Sequence, residues 1–185
     1  LEVLLETRYP ETDFEVICVA MTAINSHTVL PIARECAHHD GDLWVIYMGN
    51  NEMIGPFGPG TVFGAKAPPR SVVRALLGLK TTRLGQGLDD LSQRLRPESE
   101  TPGTWQGIEM FRRNPLRPDD PGRQRACANF QGNLKDILAT AREAGVPVLL
   151  GTVASNLRDC APFVSLHREG MSRADLEAWE REWTR

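Results

Sequence analysis

The sequence holds 185 residues, 41% hydrophobic and 24% charged, the make-up of one globular domain of ordinary size. A formal net charge of -3, with Lys and Arg scattered rather than gathered into a run, gives no basic surface for a phosphate backbone, so nucleic acid is not an expected partner. The longest apolar run, around residues 146–154, falls far short of the roughly 20 residues that cross a bilayer.

Cys18, Cys36, Cys127 and Cys160 form no C-x-x-C pair and stand at no ligand spacing from a histidine. No metal or other cofactor is expected. Buried, reduced thiols are the expected state, and unpaired cysteines favour a cytoplasmic setting.

In chain order, Leu1, Val3, Leu4 and Leu5 read as the closing turns of a helix, and with no initiator Met the chain reads as a fragment. Residues 14–20 (FEVICVA) are rich in β-branched side chains and predict a strand. Residues 26–38 place Val29, Leu30, Ile32, Ala33, Cys36 and Ala37 on one helical face, with Ser26 as the N-cap. Residues 43–48 (LWVIYM) predict a second strand, so strand, helix and strand compose a βαβ unit and a parallel pair.

Five glycines and four prolines between residues 49 and 69 predict a long loop, the kind of segment that usually carries function. Residues 71–95 are helical in spacing, although Gly78, Gly85 and Gly87 argue against one unbroken helix. With the Pro- and Gly-rich stretch 96–122, they predict a surface insertion over 70–122 within a single partial domain spanning 1–185. Residues 123–143 predict a helix stopped by Gly145, residues 147–153 a third buried strand, and residues 172–183 a charged helix opened by Ser172 with Asp175 three positions on.

The C-terminal ends of parallel strands and the loops leaving them form the ligand crevice of an open α/β sheet. Residues 21–26, 49–52 and 154–159 occupy those places, and all three are polar. In the second, Gly49 lets the backbone turn at the strand end, and the side-chain NH₂ of Asn51 is an uncharged donor able to steady an oxyanion.

A strand followed by Gly49-Asn50-Asn51-Glu52 resembles the third sequence block of the SGNH (GDSL-like) hydrolase superfamily, and the continuation MIGPFGPGTVFG resembles a bacterial subgroup of it. FEVICVAMTAINSH sits where the second block lies, and VPVLLGTVASNLRDCAPF is similar to the strand and loop after the family's long helix. The resemblance spans nearly the whole chain. It implies a three-layer α/β/α fold with a parallel sheet, flavodoxin-like and here incomplete. It also implies a serine esterase or acyltransferase acting on a small acyl ester or acylated glycan.

Carried over residue by residue, the oxyanion-hole side chain falls on Asn51, with Gly49 and Glu52 shaping its loop, and the block-two backbone donor falls on Ala23, where the family has Gly. Asn156 is a candidate for the substrate crevice and equally for loop support. The family's nucleophile and histidine blocks are missing: the one Gly-Asp pair, Gly41-Asp42, precedes Leu43, and no Asp-x-x-His occurs. Truncation accounts for both, and the chain by itself is expected to be inactive.

Other groupings carry less. Ser26 and His27 are adjacent at a helix start and so do not face each other as nucleophile and base. His38-His39-Asp40 falls at the far end of the sheet and suits the helix C-terminus, while His167 lies eight residues from Asp159 rather than three. The loop between Gly55 and Gly64 misses both G-x-x-x-x-G-K and G-x-G-x-x-G, which leaves a nucleotide site as a minor alternative. A non-catalytic carbohydrate- or peptide-binding α/β module is the main alternative.

Overall fold

The structure is a computed structural model and describes residues 1–62, 64–95, 111, 114–156, 158–159, 166 and 170–183. Its elements in order are α1 (Glu2–Arg8), α2 (Ser26–Cys36), β1 (Trp44–Tyr47), α3 (Arg70–Lys80), α4 (Arg83–Leu95), α5 (Pro121–Glu143), β2 (Val148–Gly151) and α6 (Arg173–Trp183). The chain is thus mixed α/β.

β1 and β2 pair in parallel, with Trp44 opposite Val148 and Tyr47 opposite Gly151. These are the second and third of the expected strands, but the third, expected to be buried, leaves Leu149 and Leu150 exposed because it lies in a sheet of two strands among the described residues. The first is not formed: residues 14–20 have no strand assignment, and Ile17 is 72% exposed. A strand needs a ladder to satisfy its backbone, and the only pairing among the described residues is β1 with β2, so the β-branched composition of 14–20 has nothing to act on. The βαβ unit expected at 14–48 is accordingly absent, and the parallel crossover runs from β1 through α3, α4 and α5 to β2.

One face of the two-stranded sheet is covered. Trp44, Ile46 and Met48 pack with Leu30 and Ala33 of α2 and with Phe130, Leu134 and Ile137 of α5. Ile137 is fully buried, which stabilises the fold by about 2 kcal/mol relative to exposure. Alternation along β1 turns Val45 and Tyr47 to the other face, where both are exposed, as is Leu149 of β2 opposite Val45.

Local signals account for the helix ends. Asp120 caps α5 by accepting from Gly122 N at 2.6 Å, with Pro121 in the first turn, so the helix starts two residues before its expected position. It stops at Ala144, followed by Gly145 at φ +75°. The stretch 71–95 breaks at Thr81 and Thr82 rather than at its glycines. Both hydroxyls donate back to the last turn of α3, to Gly78 O and Leu79 O, and Thr82 Oγ1 accepts from Gly85 N to open α4. At α6, Ser172 Oγ accepts from Asp175 N at 3.1 Å and donates to Asp175 Oδ2.

The expected insertion begins with a docked element: α3 buries Val73 completely, and Arg70 and Arg74 both bond Asp136 of α5. Residues 96–110 of that insertion, and Cys160, lie outside the described residues. The expectation of buried thiols fails where it can be read, since Cys18 and Cys127 are exposed and Cys36 is half-buried. Cys18 lies on the unpaired 14–20 segment, and Cys127 falls on the solvent side of α5. No helix among the described residues is long and apolar enough to cross a membrane.

Candidate functional site

The C-terminal end of β1 meets the N-terminus of α2, and three side chains fasten the two together. Asn51 Nδ2 donates to Ile24 O at 3.1 Å. Asn25 Nδ2 donates to Pro56 O at 2.7 Å while Asn25 Oδ1 accepts from His27 N, so Asn25, not Ser26, is the helix cap. Ser26 is the first helical residue, and both its donors go to Glu52: N to Oε1 at 2.7 Å and Oγ to Oε2 at 2.8 Å. A carboxylate at this place also sits at the positive end of the α2 dipole.

Glycine is required where the chain turns most tightly. Gly49 lies at φ +132°, and a Cβ there would come within 3.3 Å of Val153. At Gly55 an added Cβ would meet Asn51 O at 2.6 Å, closer than real Cβ atoms come. Ala23 takes φ +62°, a left-handed conformation that glycine enters without strain and alanine does not. Phe57 also has a positive φ, and its ring meets His27 edge-on at 5.9 Å.

Behind the turn lies a buried polar cluster. Ser26 and Asn133 are fully buried, Asn25, His27 and Glu52 nearly so. Asn133 Nδ2, projecting from α5, is 3.1 Å from Ser26 Oγ and 3.1 Å from His27 Nδ1. An amide NH₂ has only donors, so His27 Nδ1 accepts and the imidazole proton sits on Nε2. Arg74 Nη2 reaches Asn133 Oδ1 at 3.5 Å.

Electrostatics follow from this burial. Burial lowers the pKa of His27 from its ordinary 6.5, with the nearby Arg74 and Arg70 acting the same way, and keeps the ring neutral. Burial raises the pKa of Glu52, and the two bonds from Ser26 offset part of that rise. Asp136 is held below its usual range chiefly by its hydrogen bond from Arg74.

Of the residues singled out in the sequence, Gly49, Asn51, Glu52 and Ala23 are brought together here. The Asn51 bond lands on Ile24, next to Ala23. Asn156 is not brought in: its Oδ1 accepts from Arg158 N and Asp159 N, closing its own exposed turn. The expected Ser26 to His27 separation holds, with Ser26 turned to Glu52 and His27 to Asn133. His39 lies 4.0 Å from Glu35 at the C-terminal end of α2, away from the turn.

Asn25, His27 and Asn133 were not expected at the site. Asn133 had a signal, since it falls on the inward stripe of α5 with Ala126, Asn129, Ile137 and Ala141, where a polar residue calls for a partner. Among the described residues no group of three or more His, Cys, Asp or Glu side chains could hold a metal. Two open grooves, of about 470 and 570 Å³, lie elsewhere, one against residues 138–148 and one against Arg34, His38, Arg74 and Asp136.

Chemically, the turn presents uncharged donors at a half-buried to exposed rim, with Asn51 half-buried and Ala23 exposed, and the Asn51 amide donates to Ile24 O. Compared with family models, with curated proteins and with solved structures, the chain matches none of them.

Proposed function

We propose that this chain is part of an SGNH-type serine hydrolase domain, in its complete form a three-layer α/β/α sandwich, that cleaves or transfers an acyl ester. The Asn51 side chain and the Ala23 backbone N–H serve as donors to the oxyanion. What carries the reading is the Asn51 Nδ2 to Ile24 O bond, because it sets the Asn51 amide against the residue that follows Ala23, although Ala23 and Asn51 lie 28 residues apart in sequence. The left-handed Ala23 supports it, since glycine suits that backbone and the family has glycine there.

In this mechanism a serine alkoxide attacks the acyl carbonyl, a histidine takes the serine proton and returns it to the leaving alcohol, and the donors stabilise the tetrahedral charge. This sequence supplies the charge-stabilising side alone, so the chain by itself is proposed to be inactive. Nucleophile and base would come from the rest of the reading frame.

The test uses the protein expressed from its complete reading frame and a short-chain p-nitrophenyl ester. Asn51→Ala is expected to lower kcat by about 10² to 10³ fold, the usual loss for one oxyanion donor. Undiminished turnover overturns the assignment.

A second reading, a non-catalytic carbohydrate- or peptide-binding module, is favoured by one fact: Asn51 already fastens the loop through Ile24. A reading frame without a Gly-x-Ser strand end upstream and an Asp-x-x-His downstream would support it. The nucleotide alternative loses ground to the loop's own bonding. Gly55 N, Gly58 N and Gly60 N donate to Asn51 O, Gly55 O and Met53 O, so they do not form an open cradle for phosphate.

A further inference from the structure

We infer that Asn133, on α5, is the positioning residue of the Asn51 turn: through Ser26 and Glu52 it sets the orientation of the strand-end donor. The inference rests on the oxyanion reading of Asn51 and adds to it a control point on a helix more than 80 residues downstream in sequence.

Arg74 donates to Asn133 Oδ1, which fixes the amide's orientation and aims its NH₂ at Ser26 Oγ and His27 Nδ1. Because Ser26 Oγ accepts there, its one proton is free for only one other partner, and it goes to Glu52 Oε2 at 2.8 Å. Glu52 then accepts twice from Ser26, an arrangement that suits the ionised carboxylate, which has no proton to place.

Glu52 is the residue after Asn51 and is held at both oxygens to the first turn of α2. That same segment carries Ile24 O, the acceptor for Asn51 Nδ2, so the peptide between residues 51 and 52 is fixed from both sides. Asn133 is itself fully buried, and its three contacts use both of its N–H groups and its carbonyl. A side chain so completely engaged has one conformation to offer.

Asn133→Asp keeps the shape and reverses the direction. A carboxylate would accept the Ser26 proton, take it from Glu52, and leave an acceptor opposite His27 Nδ1 that calls for a proton on Nδ1, supplied by the other neutral tautomer or by the imidazolium, which the new negative charge favours. Arg74 and Arg70 are the charged groups that act on that ring, both opposing its protonation, and both are paired with Asp136.

The experiment is ¹H–¹⁵N spectroscopy of the side-chain amides and imidazoles of the protein, wild type beside Asn133→Asp and Ser26→Ala. Ser26→Ala keeps the helix and removes only the middle link, so it serves if Asn133→Asp does not fold. Wild-type His27 is expected as the neutral Nε2–H tautomer, and Asn133→Asp is expected to raise its pKa. In either variant the Asn51 side-chain amide signal should shift and broaden.

In the complete protein the same variants are expected to lower kcat by about tenfold to a hundredfold with KM unchanged, the scale of a small misplacement at a reacting centre. A merely structural Asn133 would lower the unfolding temperature and leave the Asn51 amide signal where it is, and that result overturns the inference. If the signal moves while Asn51→Ala keeps full turnover, the oxyanion reading fails and the inference fails with it.

Discussion

The buried cluster behind Asn51 and the outer face of the sheet invert the usual distribution of polarity. Ser26, His27, Glu52 and Asn133 lie at or below 6% exposure, while Val45, Tyr47 and Leu149, all strand residues, are more than half exposed. Polar groups go inside when they find partners of the right direction, and here each of these four side chains has at least one. Apolar groups stay outside when no element covers them, and α2 and α5 pack on the opposite face, against Trp44, Ile46 and Met48. Burial in this chain therefore tracks hydrogen-bond completeness at one strand end as closely as it tracks hydrophobicity.

Removing an acceptor from the cluster tests this contrast most severely. Glu52→Ala leaves the N–H and hydroxyl of Ser26 without their partner in a buried place, and is expected to cost about 3 kcal/mol of unfolding free energy in denaturant titration. A loss below about 0.5 kcal/mol would mean that water replaces the carboxylate and that the cluster is not dry.

Acidity probes the same region more gently. His27 resists protonation when folded, whereas the unfolded chain takes a proton near pH 6.5. Its contribution is complete above that value and is lost as pH falls toward its lowered folded pKa, with a limiting slope of about 1.4 kcal/mol per pH unit. Glu52 has the opposite sign: its raised folded pKa gives a contribution present below its ordinary 4.5 and lost as pH rises through the folded value. Stability measured from pH 7 to 5 should fall in the wild type and stay flatter in His27→Gln. Equal slopes would show that His27 does not titrate against the fold.

The smallest effect is expected on the sheet's bare face. Leu149 is 59% exposed, so Leu149→Thr should change stability by no more than about 0.5 kcal/mol. A loss of about 2 kcal/mol would show that this face is covered in solution, and the contrast drawn above would narrow.

How much of this was legible in the sequence depends on whether the signal was local. α5, α6 and the β1 and β2 strands follow from apolar spacing and from Asp120, Gly145 and Ser172, all of which act on their own neighbours. The Gly49 to Glu52 turn was also readable, because its glycine and asparagine are adjacent. Residues 14–20 misled because β-branched composition reports fitness for a ladder and not the presence of one. Ser26 looked like a cap because Ser commonly is one. Asn25 beside it meets the same requirement, and Glu52, 26 residues away, decides between them. Asn133 to His27 spans 106 residues, a pairing that no local spacing encodes.

The central claim is that the Asn51 amide steadies a developing charge and does not merely fasten its loop, and both consequences can be measured on one variant. For Asn51→Ala in the complete protein, kcat and unfolding free energy should separate. The expected result is a kcat loss of about 10² to 10³ fold beside a stability loss of about 1 kcal/mol, the worth of one hydrogen bond to Ile24 O. A stability loss of that size with kcat unchanged would make Asn51 a turn residue and contradict the account.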